Sequence, residues 1–284
     1  MKKGLFASLL IVPSLLIGNN VYAEEDLTNE DVIVQPINLT SDQVKQMEGL
    51  GFTKEEIDEM DEEEFEENKE YTGTVISQEE KYYKVETDYS NTINQITPVS
   101  EKEALSEISK ENNTIMARSA VTKSSSWLKM HTSASKLSNG NIKLKNSFRW
   151  LKQPQVAFKD VVGISHSASA VKVPGTANFS YAYTDGTGKH KVDAIGTKTS
   201  STGVAKKFDL KKVGATIAPY DHHGYVSVQL KKGNKNDIRA NGYGHYVHTE
   251  VGLSASVSIK TGELSVGPNI KQSKMDDTMV MFNY

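Results

Sequence analysis

The side chains with most to offer chemically are seven histidines: His131, His166, His190, His222, His223, His245 and His248. The string Asp221-His222-His223-Gly224 sets a carboxylate beside two imidazoles on an expected turn. A zinc ion needs three or four such ligands at ~2.0–2.2 Å. Asp221, His222 and His223 are therefore the candidate metal ligands, and metal-dependent hydrolysis is the chemistry they would serve. His245 and His248 form a second pair. A spacing of three puts them on opposite faces of a strand, so they share a metal only if a bulge intervenes.

Other reaction types find no motif. The chain has no cysteine, which removes thiol nucleophiles, disulfides and thiolate metal centres. There is no G-x-S-x-G elbow, no phosphate-binding loop and no dinucleotide fingerprint. The acidic run Asp58-Glu59-Met60-Asp61-Glu62 lacks the ligand spacing of a calcium-binding EF-hand. A glycosidase needs two opposed carboxylates, and no spacing selects a pair. No cofactor is expected, and an enzyme is the less favoured reading.

Charge is the stronger signal. Residues 24–120 hold 26 Asp and Glu against 8 Lys and Arg; residues 121–284 hold 10 against 23. A net −18 thus faces a net +13, which suggests that the acidic part docks on the basic part or does a different job. In the basic part Lys206, Lys207, Lys211, Lys212, Lys231, Lys232 and Lys235 fall at strand ends and turns. They are the candidate polyanion-binding residues, for anionic cell-envelope polymers such as teichoic acids. Nearly all this charge is Lys rather than Arg, which argues against nucleic acid as the partner.

The elements that must carry these residues are legible in part. Thr40-Ser41-Asp42-Gln43 predicts a helix ended by Gly49 and Gly51, and Thr53-Lys54-Glu55-Glu56 a second one with Ile57 inward. Asp61 opens a third turn anchored by Phe65, and Ser100 caps a helix through Leu105 and Ile108. Between them, 74–76 and 82–85 read as a short β pair, and 110–126 as a linker.

Beyond 126, hairpin turns at Asn139-Gly140, Asp185–Gly188 and Lys260–Glu263 separate alternating segments. Ile142, Leu144, Phe148 and Trp150 share one face of a strand, with Asn146 as the exception. Residues 243–259 read as one long strand. The fold expected is mainly β: an antiparallel β-sandwich or barrel in the C-terminal half, preceded by a small acidic α-helical region. The divisions are a signal peptide 1–23, an acidic region with linker 24–120, and a basic β domain 121–284.

Three strings, Leu50–Ile57, Lys145–Lys152 and Gly242–Tyr246, resemble a family of uncharacterised secreted proteins of low-GC Gram-positive bacteria. The resemblance implies an extracellular location and a fold style, and brings no activity with it.

Export is also written in the first residues. Lys2-Lys3, an apolar stretch from Leu5 to Ile17, and Val21-Tyr22-Ala23 form a leader with cleavage after Ala23. The apolar run is shorter than the ~20 residues a spanning helix needs, and no transmembrane segment is expected in the mature chain. The leading expectation is a secreted, non-enzymatic binding protein acting outside the cell or at its envelope. Two alternatives are the metal-dependent hydrolase and a membrane-active β toxin built on the alternating segment 251–266.

Overall fold

A computed structural model of the chain describes residues 31–88, 94–113, 123–154, 157–211, 220–249, 256–267 and 272–284. The expected signal peptide, and with it Lys212 of the candidate lysines, lies outside the described residues.

The chain begins with β1 (Val32–Val34), helices α1 (Ser41–Gly49), α2 (Lys54–Asp58) and α3 (Glu62–Glu66), then β2 (Gly73–Asp88), β3 (Gln95–Val99) and α4 (Glu101–Asn113). Next come β4 (Lys123–Leu137), β5 (Ile142–Lys152), β6 (Lys159–His166), β7 (Ala170–Lys172), β8 (Asn178–Asp185) and β9 (Gly188–Lys191). They are followed by β10 (Gly196–Ser200), β11 (Gly203–Asp209), β12 (Tyr220–Lys232) and β13 (Arg239–Thr249). The last are β14 (Val257–Lys260), β15 (Glu263–Val266), β16 (Gln272–Lys274) and β17 (Thr278–Asn283).

Two large antiparallel sheets pack together. Sheet 1 runs β1-β9-β8-β12-β5-β4-β2-β3, with β7 also paired to β12. Sheet 2 runs β10-β11-β6-β13-β16, with β17 also paired to β13. Their facing sides make the main core, in which Leu128, Leu144, Phe148, Trp150 and Val226 of sheet 1 meet Val162, Ile164, Phe208, Tyr246 and Phe282 of sheet 2. Each such side chain is worth about 1.5–3 kcal/mol when removed from water. The expected apolar face of β5 is the one that does this. Its exception, Asn146, reaches across to the carbonyls of Gly163 (3.2 Å) and His245 (3.1 Å), so the buried amide is satisfied rather than orphaned. Gly244 sits opposite, where a Cβ would collide with Thr132, Asn146 and Thr278.

The other side of sheet 1 is also covered. Helices α1–α3 lie on it, burying Met47, Leu50, Phe52, Ile57 and Met60 with Leu137 and Tyr225. All three helices start as expected, each with a capping box, at Thr40, Thr53 and Asp61. Gly51 turns the chain back with φ of 84°, and its carbonyl accepts the Ser133 hydroxyl of β4. Helix α4 covers Tyr82 and Trp127 with Ala104, and the β14–β15 hairpin covers the outer side of sheet 2 through Ile259 and Leu264.

Several local expectations differ from the structure. The expected linker 110–126 is shorter than predicted, since α4 continues to Asn113 and β4 starts at Lys123. The β pair 74–76 and 82–85 is a single strand, β2, paired with β4 from Gly73 opposite Leu137 to Asp88 opposite Lys123. Residues 77–81 contain no glycine, proline or asparagine to turn the chain, and a bulge near Ile76 bends the strand instead. The long strand 243–259 appears as β13 and β14, and the residues between, 250–255, lie outside the described ones. Among the described residues, no helix is long and apolar enough to cross a membrane.

Candidate functional site

Strand β12 places the Asp221 cluster. Opposite β8, Tyr220 pairs with Thr184 and His223 with Ala182, so two residues of β12 face one of β8. This is a bulge within a strand rather than the expected turn. Asp221 takes the strain, with φ of 53°, a left-handed conformation that asparagine and aspartate tolerate best. Beyond the bulge, alternation sends His222 and His223 to opposite sides. His222 turns to the main core, where its Nδ1 lies 3.0 Å from the Tyr181 hydroxyl. His223 turns to the helices.

Asp221 and His223 therefore come together without His222, and Glu59, from the end of α2, completes the group. The ligand atoms of Glu59, Asp221 and His223 all lie within 4.8 Å of one another. His223 Nε2 is 3.2 Å from Glu59, and its Nδ1 is 2.8 Å from the Asp221 carbonyl. This donor set would suit zinc, but Arg149 of β5 is already there. Its guanidinium donates to Glu59 at 3.2 and 2.5 Å and bonds Asp221 as well. The arginine supplies the positive charge a metal would bring, so a metal must first displace it.

Electrostatics fit that reading. Burial, followed by the charges of Arg149 and Lys189, pushes His223 down to about 3. Burial lifts Asp221 to about 6, against the pull of Arg149. His222, buried in the core, falls to about 4. Both imidazoles are neutral near pH 7, and the carboxylates face a guanidinium that cannot deprotonate. Beside the cluster is a cavity of about 100 Å³, lined by Glu55, Glu56, His131, Arg149 and His223 among others.

Arg149 belongs to a larger pattern. On β5 it shares a face with Lys143 and Lys145, turned away from the core. Lys145 is fully buried and meets Glu56 of α2 at 2.5 and 2.7 Å. The charge and hydrogen bonds of Lys145 overcome burial and hold Glu56 below the usual carboxylate range. On β9, Lys189 bonds the Glu59 carbonyl at 2.6 Å and faces Glu64 at 3.8 Å. Lys191 meets Asp61 at 3.2 Å and Glu63 at 3.0 Å. The acidic helices thus sit on a row of cations. The sequence reading missed Glu59, Arg149 and this row. The signal was a set of cations in one alternating register, 143, 145 and 149 on one strand with Ser147 between, and 189 and 191 on another.

The lysines singled out from sequence are spread over the molecule. Lys206 and Lys207 are on β11 of sheet 2, and Lys207 is buried. Lys211 pairs with Asp31 at 2.7 Å. Lys231 and Lys232 end β12 of sheet 1 and, like Lys235, are exposed.

Three histidine–aspartate pairs lie elsewhere among the described residues; in the first, His190 Nε2 is 3.0 Å from Asp185 in the β8–β9 hairpin. His245 and His248 do fall on opposite faces of β13. His248 Nδ1 is 2.8 Å from the buried Asp160, which also accepts the Tyr246 hydroxyl. His245 Nδ1 is 2.7 Å from Asp277 and its Nε2 is 2.8 Å from Ser165 Oγ. Those are the distances of a serine–histidine–aspartate relay. Yet Ser165 and His245 are fully buried, and Ser165 Oγ already accepts the Gly262 N–H at 2.9 Å from the β14–β15 turn. In this conformation the serine is a strand-to-hairpin staple, closed to any substrate.

The geometry defines a mainly β protein of two antiparallel sheets with an acidic helical cap on a cationic sheet face. No family model matches the chain, and no curated protein matches it. Among solved structures, the chain is similar to the collagen-binding domain of the Erysipelothrix rhusiopathiae surface protein RspB, at 6% identity and TM-score 0.28, over 56% of this chain and 65% of that one. It is similar to a collagen-binding domain from a Staphylococcus aureus adhesin at 8% identity and TM-score 0.24, over 46% and 86%. A structure described as a pore forming protein matches at 5% identity and TM-score 0.27, over 75% and 96%. The chain spans less than two thirds of the RspB domain, and likenesses this distant assign no activity to it.

Proposed function

We propose that this is an exported, non-enzymatic binding protein that takes an anionic polymer of the cell envelope on the outer face of sheet 1. In this reading α1–α3 are a built-in competitor for that face. One observation carries it: the face beneath the helices consists mostly of groups that water solvates well. Lys129, His131, Ser133, Lys143, Lys145, Ser147, Arg149, Ser227, Gln229, Lys189 and Lys191 belong to it, and Tyr225 and Leu137 are its large apolar members. A sheet face that must always be covered is normally apolar. A cationic one suits exchange of one set of anions for another.

Export rests on the leader 1–23. The binding reading is favoured over metal hydrolysis because Arg149 holds Glu59 and Asp221. Lys231, Lys232 and Lys235 offer further exposed contacts for the same polymer.

The test compares purified mature wild-type protein with the variant E56Q/E59Q/E63Q/E64Q, both checked for folding by circular dichroism. Each is titrated with wall teichoic acid by calorimetry at low and physiological salt. The variant should bind at least tenfold tighter, and both should weaken as salt rises. Equal affinity, or binding indifferent to salt, would sink the reading.

A further inference from the structure

Lys143 stands apart from its neighbours on the cationic face. Lys145, Arg149, Lys189 and Lys191 each have a carboxylate partner. Lys143 is buried, and among the described residues its ammonium finds the Asn68 side-chain oxygen and the face of Phe52, at 5.0 Å, but no carboxylate within ion-pairing distance. An amide oxygen and an aromatic face tolerate an amine in either protonation state. A buried ammonium without a counter-ion is costly, and giving up the proton is the usual escape.

The same lysine lines a cavity of about 200 Å³ at the seam between cap and sheet. Glu67, Asn68 and Tyr71 come from the chain leaving α3, Ser227 and Gln229 from β12, Thr176 from the segment before β8 and Asn178 from its first residue. The volume is below the ~300–1,000 Å³ of sites for drug-sized ligands, so an occupant is small. The lining is rich in amides and hydroxyls, which suits a hydroxylated molecule.

We propose that this cavity is a covalent binding site for small hydroxylated aldehydes or ketones, held as an imine on Lys143 Nζ. The step balances with the groups present. The free amine adds to the carbonyl carbon, and a proton passes from nitrogen to oxygen, giving a carbinolamine. The Glu67 carboxyl protonates that hydroxyl, one water leaves, and the remaining N–H proton returns to Glu67.

The charge states agree. Burial first, then the nearby Lys145, lowers Lys143 to about 7, against the opposing pull of Glu67 and Glu56. Burial raises the Glu67 carboxyl above its ordinary value, the direction a proton donor needs. An ordinary exposed lysine near 10.4 has roughly a thousandth as much free amine at pH 7. A less basic amine is also a weaker nucleophile, which returns part of that advantage. Unlike the polyanion reading, this one needs no movement of the cap.

The experiment uses the full mature protein, D-glyceraldehyde and sodium cyanoborohydride as the reducing trap at pH 7, with adduct mapped by peptide mass spectrometry. Lys143 should be labelled at least tenfold faster than exposed Lys231 and Lys235, with a rate that levels off above pH 8 while theirs keeps climbing. E67Q should slow labelling at Lys143 alone. Labelling of Lys143 no faster than that of Lys231, or none at all, overturns the proposal. Because wild-type labelling is the primary readout, the test survives any variant that folds poorly.

Discussion

The two faces of sheet 1 solve the same problem, burial, with opposite materials. Toward sheet 2, Leu128, Met130, Leu144, Phe148, Trp150 and Val226 make a continuous apolar core. Toward the helices, the same strands present Lys143, Lys145, Arg149 and His223, matched by Glu56, Glu59 and a small apolar patch around Phe52 and Tyr225. The first face gains most of its stability from leaving water. The second gains far less, because desolvating paired charges cancels much of their attraction. Cohesion should thus be strongest between the sheets, and the cap should be the first layer to loosen.

The largest effect should come from the inner face. Phe148 stacks on Phe208 at 5.3 Å and tilts against Tyr246 at 4.7 Å. Phe148→Ala should cost about 3–5 kcal/mol, seen as a global shift of the denaturant midpoint. On the outer face, Glu56→Ala leaves Lys145 buried and unpaired, a change worth roughly 3 kcal/mol. Hydrogen exchange should show that loss confined to residues 41–66, while β5, β12 and β6 keep their protection. If both variants lower the whole molecule alike, the two faces are one cooperative unit and the comparison fails.

Acid should act through the histidines. His222 and His223 have folded values below the ordinary 6.5, so the unfolded chain binds more protons below that pH. Their contribution is full above pH 6.5 and drains as pH falls, by up to ~1.4 kcal/mol per pH unit for each proton. Asp221, raised to about 6, has the opposite sign: its contribution is present below 3.8 and lost as pH rises through 6. Stability measured from pH 7 to 4 should fall, less steeply in His222→Gln and more steeply in Asp221→Asn.

The smallest effect concerns metal. Wild-type protein should show no change in melting temperature with zinc or chelator, because Arg149 holds the carboxylates. Arg149→Ala should acquire one zinc at Glu59, Asp221 and His223, measured by calorimetry. Stoichiometric zinc in the wild type would restore the hydrolase reading.

Much of the fold could be read in advance because its signals are local. The capping boxes at Thr40, Thr53 and Asp61 and the Asn139-Gly140 hairpin each need only a few neighbouring residues. The alternation of β5 identified the core face correctly. What escaped was long-range. Nothing near Glu59 says that Arg149, 90 residues later, will bond it. Strand alternation put His222 and His223 on opposite sides, because Asp221-His222-His223 lies in a bulged strand and not in the expected turn. Polar Gln78 to Lys81 resembled a turn because the ladder that holds them straight is made by β4, some fifty residues away.

The cap is spliced into the sheet it covers: β1 enters it, β2 leaves it, and both are hydrogen-bonded strands of sheet 1. Dislodged helices would therefore remain on a leash. A segment tethered this closely acts at an effective concentration in the millimolar range. On the proposed reading, the tethered cap brings several carboxylates to the face at once, and a monovalent anion could replace only one of them at a time. A polymer carrying many phosphates engages several cations at once and wins by avidity. The splice would thus sort anions by valence rather than by charge alone, favouring a repeating surface over single small anions.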